Sequence, residues 1–212
     1  GEPEPYMNHC IALNTCSDLP VENSILESYQ TEKEVLLAWQ GLIQKENPDI
    51  IIGYNIFGFD YMFMFKRAEE NNCIEDFLKL SRNKDEICAE KDKDTGRYKL
   101  EESTIQIASG QHDLKFIKIN GRLQVDLYNF FRREENLTSY KLDYCAGYFI
   151  GDGVKKIEYN EDNRRTKIYS SNLMGLENGN YIVFEENSHS TESYKDGEKF
   201  KVMNVDETNG TF

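Results

Sequence analysis

The first strongly periodic stretch of apolar and polar positions begins at Thr31. This threonine starts a capping-box pattern, in which a hydroxyl opens a helix and a carboxylate three residues later bonds back. Apolar residues then recur every three or four positions until Asn47-Pro48, which stops a helix. The spacing predicts a helix over residues 32–46. Residues 1–30 show no comparable period and are predicted to be irregular.

A short apolar run follows this helix without a gap. Residues 49–54 are rich in isoleucine and lie between turn signals, which is typical of a strand buried between two layers of helices. A glycine-containing loop, residues 55–60, comes next. From Phe59 to Asn71 the apolar period is again helical. This order of helix, strand, loop and helix predicts a layered α/β domain.

The next clear pattern lies beyond residues 72–103, which are poorly patterned. Two apolar runs, residues 114–119 and 122–127, flank Asn120-Gly121, the dipeptide that favours a type I′ hairpin turn. The sequence therefore predicts a hairpin there. Helical periods predict two further helices, over residues 127–134 and 140–149.

At Gly151 the pattern changes to short apolar runs separated by turn dipeptides. This alternation predicts a small antiparallel sheet or barrel and places a domain boundary between residues 151 and 152. The predicted strands are residues 156–159, 167–169, 181–184 and 199–202.

Composition narrows the class of protein. The 212 residues are 39% hydrophobic and 12% aromatic, enough to build a core. The net charge of −13, concentrated towards both ends, disfavours a simple nucleic-acid coat protein. No apolar run has the length of a membrane span, so no membrane partner is expected. Five cysteines without a paired spacing predict reduced thiols in an intracellular protein that is not secreted.

The residues that point to chemistry lie at the end of the predicted isoleucine-rich strand. Asp60 follows this strand and stands in the first turn of the next helix, where the helix dipole favours a carboxylate. Strand ends at a crevice are where α/β domains place their sites. A two-metal phosphodiesterase needs several converging carboxylates, and Asp60 is one. The alternative is that Asp60 simply caps the helix.

The pattern Asn55-x-x-x-Phe59-Asp60 resembles the second exonuclease motif of family B DNA polymerases. Three further segments match the family in the same order: the helix before this motif, Gly121-Arg122-x-x-x-Asp126 and Ser139-Tyr140-x-Leu142. The resemblance covers residues 20–150. It is greatest to the delta-type replicative polymerases of eukaryotes and to those of large nucleocytoplasmic DNA viruses.

The resemblance implies a fold and an activity. The expected fold class is α/β, an incomplete ribonuclease-H-like exonuclease core over residues 1–151, followed by a small antiparallel β-rich insertion over residues 152–212. The expected activity is 3′→5′ proofreading. Asp60 is then the catalytic metal ligand for two Mg²⁺ ions, and Asn55 and Phe59 lie beside the bound DNA 3′ end. Phe59 has a second interpretation, as a core aromatic.

Two parts of the family pattern are absent from this sequence. No Asp-Ile-Glu precedes Thr31, so the first exonuclease motif is expected before Gly1. Tyr140 stands only three residues before Asp143, where the third motif needs four. The isolated chain is therefore expected to be inactive. From spacing alone, Asp126 is a strand-end acid and Arg122 a solvated turn charge.

The resemblance also implies partners and a location. The partners are the single-stranded 3′ end of a DNA primer, the remaining polymerase domains of the same chain and, as a further candidate, a processivity factor. The location is the nucleus or a viral replication site. A local basic stretch in the insertion is either a solvated face or part of a protein-binding module: Lys155, Lys156, Arg164, Arg165 and Lys167. A non-catalytic exonuclease-like adaptor and a stand-alone ribonuclease-H-like nuclease remain as alternative functions.

Overall fold

The structure is a computed structural model that describes residues 5–19, 21–107, 110–187 and 191–212. It divides into two compact units, residues 1–142 and 143–212. The boundary predicted between residues 151 and 152 stays a prediction. The helices are α1 (Glu32–Glu46), α2 (Tyr61–Glu70), α3 (Ile74–Phe77), α4 (Leu127–Glu134) and α5 (Leu142–Ile150).

The first unit contains eight of the described strands. They are β1 (Asn8–Leu13), β2 (Ser24–Tyr29), β3 (Ile50–Gly53), β4 (Glu90–Lys91), β5 (Tyr98–Lys99), β6 (Glu101–Ile107), β7 (Gly110–Phe116) and β8 (Leu123–Asp126). The prediction that residues 1–30 are irregular was wrong, because β1 and β2 form a parallel pair. Their mixed polarity lacks the alternation that marks a half-buried strand, so the pattern did not reveal them.

Helix α1 begins as its sequence predicts. The Thr31 hydroxyl accepts a hydrogen bond from the Glu34 backbone N–H at 3.3 Å, and the Glu34 carboxylate accepts one from the Thr31 N–H at 3.0 Å. Asn47 ends the helix in the left-handed conformation, with φ of 48°. The predicted helix over residues 32–46 is confirmed, and so is the helix over residues 127–134.

The core of the first unit lies between helices α1 and α2 and the segments that follow α2. Phe77, Leu78 and Leu80 are fully buried within it, although they belong to the poorly patterned residues 72–103. Trp39 of α1 stacks on Phe77, with ring centroids 5.8 Å apart. The buried residues of the core are Leu36, Tyr61, Phe65, Ala68, Cys73, Phe77, Leu78, Leu80, Cys88, Ile117 and Ile119.

Strand β3 forms as predicted, but the prediction that it is buried on both faces was wrong. Ile51 packs against the core, whereas Ile50 and Ile52 are 54% and 59% exposed. Among the described residues β3 pairs only with β8, in parallel register from Ile50 opposite Leu123 to Gly53 opposite Asp126. The described residues therefore leave one face of this pair uncovered.

The predicted hairpin around Asn120-Gly121 was also wrong. Strand β7 pairs antiparallel with β6, and β8 pairs with β3. A type I′ turn needs positive φ at both central residues, but only Gly121 has it, at 79°. Ile117 and Ile119 lie between strands β7 and β8 and are buried in the core, which favours this arrangement over a hairpin.

The second unit is built from short antiparallel pairs. Its strands are β9 (Val154–Asn160), β10 (Arg165–Ser170), β11 (Tyr181–Ile182), β12 (Glu185–Asn187), β13 (Thr191–Ser193) and β14 (Phe200–Lys201). Strand β9 pairs with β10, β11 with β14 and β12 with β13. The antiparallel prediction is confirmed, but the described strands form three separate pairs rather than one sheet or barrel.

Two further features concern the described part of the chain as a whole. No helix there is both long and apolar enough to cross a bilayer. No disulfide bond links the cysteines, three of which are buried.

Candidate active site

A tight turn links strand β3 to helix α2 and carries all the predicted site residues. Asn55 opens it in the left-handed conformation, with φ of 61°, which asparagine tolerates better than most residues. Residues Ile56–Asp60 then form one π-helical turn that runs directly into α2. A Cβ atom on Gly58 would overlap the Asn55 side-chain oxygen, so glycine leaves room for this amide. The structure thus brings Asn55, Phe59 and Asp60 together in one turn.

Phe59 points away from the core. It is 56% exposed and stacks face to face on Phe63, which is 51% exposed, with ring centroids 5.8 Å apart and planes inclined by 10°. The alternative of Phe59 as a core aromatic was therefore wrong. An exposed flat ring beside the candidate acid offers a surface on which a nucleic-acid base can stack.

Asp60 is half-buried at the junction between the π-helical turn and α2. Its backbone is helical and its side chain makes no capping hydrogen bond. The alternative of a simple capping acid therefore has no support from the geometry. Asp60 lies in the turn that follows β3, the region where α/β domains place their sites.

Tyr61 and Phe57 form the inner wall of the turn. The Tyr61 ring is almost fully buried and stacks on Phe57 at 6.0 Å, and Phe57 packs on Phe116 at 5.3 Å. Burial raises the pKa of the Tyr61 hydroxyl, and the negative charges of Asp126 and Asp60 raise it further. The Tyr61 hydroxyl therefore stays protonated and neutral at physiological pH and does not donate a proton there.

Asp126, at the end of strand β8, contacts this turn through its carboxylate. Its two oxygens accept hydrogen bonds from the backbone N–H groups of Asn55 at 2.7 Å and Phe57 at 3.0 Å. Sequence spacing identified Asp126 as a strand-end acid, which is correct, but missed its contact with the turn. The parallel pairing of β3 and β8, which the pattern did not predict, creates this contact.

Arg122 is not the solvated turn charge that spacing predicted. It is 7% exposed, and its guanidinium donates to the Leu80 carbonyl at 3.0 Å, the Asn47 side-chain oxygen at 2.9 Å and the Pro48 carbonyl at 2.7 Å. Burial lowers the pKa of this guanidinium. Arg122 thus holds the beginning of β3, while Asp126 lies beside its end.

The predicted magnesium ions require more acids than this turn contains. Among the described residues, no group of three or more aspartate, glutamate, histidine or cysteine side chains is arranged to hold a metal ion. Asp60 by itself does not make a two-metal site.

The basic stretch of the second unit lies on the β9–β10 pair and is exposed. Lys156 and Lys167 both lie over the Tyr169 ring, at 5.3 Å from its centroid, and Lys156 also pairs with Glu158. The Glu158 carboxylate and the Tyr169 ring therefore offset part of the positive charge of this stretch. The protein-binding module stays a prediction.

Known proteins resemble this chain over the segment that includes the turn. Residues 1–145 match the family described as DNA polymerase family B, exonuclease domain. The DNA polymerase of Phaeocystis pouchetii virus is 50% identical over the whole chain, which spans 21% of that protein. The DNA polymerase of Pyramimonas orientalis virus is 37% identical over 86% of the chain and 14% of its own length.

A eukaryotic relative is also named as a DNA polymerase. The DNA polymerase delta catalytic subunit of Oryza sativa subsp. japonica is 32% identical over 85% of the chain and 14% of its own length. The chain thus spans about a fifth or less of the relatives it matches. Because the family match runs from residue 1 to 145 and includes both the turn at Asp60 and Asp126, this chain belongs to the exonuclease domain of family B DNA polymerases.

Proposed function

We propose that this chain is part of the 3′→5′ proofreading exonuclease domain of a replicative DNA-directed DNA polymerase. The family match over residues 1–145 and the relatives named as DNA polymerases support this proposal. The polymerase activity belongs to the longer protein, since the chain spans 21% of its viral relative. The adaptor and the stand-alone nuclease have no comparable support.

The proposed fold is an incomplete ribonuclease-H-like core followed by a β-rich insertion over residues 152–212. The parallel β3–β8 pair, with a helix after each strand, supports such a core. The uncovered face at Ile50 and Ile52 is consistent with a sheet that continues in the longer protein.

Asp60 is the proposed catalytic carboxylate and metal ligand, and Asn55 and Phe59 the proposed contacts with the single-stranded primer 3′ end. The observation that carries this assignment is the turn at the end of β3, which presents an acid without a capping bond beside an exposed aromatic ring. The described residues do not fit a two-magnesium site by themselves, so further acids must come from elsewhere in the longer protein.

The remaining partners and the location follow from the proposed activity. They are the other polymerase domains of the longer protein, a processivity factor, and the nucleus or a viral replication site. The isolated chain is expected to leave DNA intact, because one acid does not assemble the site.

The test uses the full-length polymerase and a primer with a mismatched 3′ end. Asp60→Ala should lower the excision rate in Mg²⁺ by about 10³-fold or more, since the lost charge stabilisation amounts to several kcal/mol. Extension of a matched primer should stay near the unmodified rate. Asp49→Ala is the matched control, because Asp49 lies at the opposite end of β3 and is exposed.

Two results would contradict the proposal. One is full excision by Asp60→Ala in the complete polymerase. The other is metal-dependent hydrolysis of 3′-labelled single-stranded DNA by the isolated 212-residue chain that disappears in Asp60→Ala, because that chain would then be a complete nuclease.

A further inference from the structure

The carboxylate of Asp126 joins strand β8 to the turn that carries the candidate site. Oδ1 accepts from the backbone N–H groups of Asn55 at 2.7 Å and Tyr128 at 3.0 Å. Oδ2 accepts from the Phe57 N–H at 3.0 Å and the Asn129 side-chain amide at 3.2 Å. The residue is 5% exposed, so the four bonds replace the water that a carboxylate normally binds.

We propose that Asp126 is a positioning residue for 3′-end recognition, which fixes the backbone of residues 55–59 and so sets the direction of Asn55, Phe59 and Asp60. The inference rests on the proposed function of that turn. Asp126 itself is not assigned to touch DNA.

The turn needs an external acceptor for a physical reason. Asn55 is left-handed, and the π-helical turn after it begins without a side-chain cap. A backbone N–H that is withdrawn from water and left without an acceptor costs free energy. The Asp126 carboxylate accepts from two N–H groups of the turn and so stabilises this one conformation, because hydrogen bonds to a carboxylate are about twice as strong as neutral ones.

The contact depends on the parallel register of the two strands. Gly53, the last residue of β3, is opposite Asp126, so the chain leaves β3 directly beside the carboxylate. Phe57 also contacts Phe116, which holds the apolar side of the turn while Asp126 holds its polar side. Phe59 is thereby kept on the exposed side, in its stack with Phe63.

Arg122, the residue directly before strand β8, provides an internal comparison. It is as buried as Asp126, but it holds residues 47 and 48, before β3 begins. No proposed site residue lies at that end. A role in folding alone predicts that Arg122 and Asp126 variants behave alike, whereas a positioning role predicts that only Asp126 variants disturb the 3′ end.

Two substitutions separate the functions of the carboxylate. Asp126→Asn keeps the shape but replaces one acceptor with an amide NH₂, which cannot accept from the turn. Asp126→Ser retains a good N-cap for the Tyr128 N–H of α4 and is too short to hold residues 55 and 57. Arg122→Lys is the matched control, because it keeps the charge and loses the branched geometry.

The experiment uses the full-length polymerase at a temperature where all variants are folded, as shown by circular dichroism. Binding of a primer with an unpaired, 2-aminopurine-labelled 3′ end is measured without divalent metal, so that stacking is read independently of hydrolysis. Both Asp126 variants should bind this end about 10-fold more weakly, within the range of a lost base-stacking contact. Excision in Mg²⁺ should fall about 10–100-fold, as expected for a misplaced reacting group.

Extension of a matched primer should be unchanged in the Asp126 variants, and Arg122→Lys should bind the unpaired end like the unmodified enzyme. Unmodified binding and excision in Asp126→Ser would overturn the inference. An equal loss in Arg122→Lys at similar unfolding temperature would also overturn it. If Asp60→Ala still excises, the proposed function fails; if Asp60→Ala is inactive and both Asp126 variants are normal, only the positioning role fails.

Discussion

The two units of this chain are stabilised in different ways. The first unit has one continuous core in which Phe77, Leu78 and Leu80 are completely buried. Eleven apolar residues are buried in the first unit, whereas among the described residues of the second unit four are: Cys145, Ile168, Leu173 and Val202. A continuous core can hold an uncommon backbone turn in place, which is what a site with fixed geometry requires.

One aspartate in each unit makes the contrast concrete. Asp126 is buried and accepts backbone N–H groups from a turn far away in sequence. Asp152 is exposed, and its Oδ2 accepts from the Ser170 hydroxyl at 2.6 Å and from the N–H groups of Ser171 and Asn172 at 3.0 and 2.7 Å. A carboxylate that accepts hydrogen bonds from backbone N–H groups therefore stabilises the turn of the candidate active site in one unit and a surface turn in the other.

The largest expected effect comes from opening the core of the first unit. Phe77→Ala should lower the free energy of unfolding by about 3–5 kcal/mol, because it removes a fully buried ring and leaves a cavity. Urea unfolding, followed by the fluorescence of Trp39, the single tryptophan, measures the stability of this unit.

The matching change in the second unit is Val202→Ala. It should cost about 2 kcal/mol, since fewer buried methyl groups are lost. Hydrogen exchange of the β11 and β14 amides measures it. A larger cost for Val202→Ala than for Phe77→Ala would show that the contrast between the two units is wrong.

A smaller effect is expected at the start of α1. Thr31→Ala removes the hydroxyl that accepts from the Glu34 N–H, and the loss of such a cap costs about 1 kcal/mol. The free energy of unfolding measured from Trp39 fluorescence should fall by this amount. Thr31→Ser, which keeps the capping oxygen, is the control and should unfold close to the unmodified chain; equal losses in both variants would exclude the cap as the cause.

The smallest effect concerns Asp152 and depends on pH. The Ser170 hydroxyl, together with backbone N–H groups, lowers the pKa of this carboxyl below its ordinary value near 4. A lowered folded-state pKa means that the stabilisation is present above about pH 4 and is lost as the pH falls through the folded value. Hydrogen exchange of β10 in Asp152→Asn should therefore be faster than in the unmodified chain at pH 6, and this difference should shrink as the pH falls through the folded-state pKa.

Asp162→Asn is the control for this measurement, because it removes the same charge from an exposed turn of the same unit. It should show little difference across this pH range. A difference for Asp152→Asn that does not shrink as the pH is lowered would mean that the carboxylate charge is not the stabilising feature.

Local patterns predicted helices and the motif more reliably than strand partners. The capping box at Thr31 and the period after it determine α1, because both depend on residues three or four positions apart. The Asn120-Gly121 hairpin failed for the opposite reason. Its flanking runs found better partners at a distance, β6 for one and β3 for the other.

The sequence by itself determined helices α1 and α4, the choice of Asp60 as the candidate acid and the likeness to family B exonucleases, since these depend on residue types at fixed spacing. Only the tertiary structure decided that Phe59 is exposed, that Arg122 is buried and that Asp126 holds the turn before Asp60. The contact of Asp126 with the turn depends on the parallel pairing of β3 with β8, two strands about 70 residues apart. Spacing along the chain carries no information about which distant backbone N–H groups a buried carboxylate will accept.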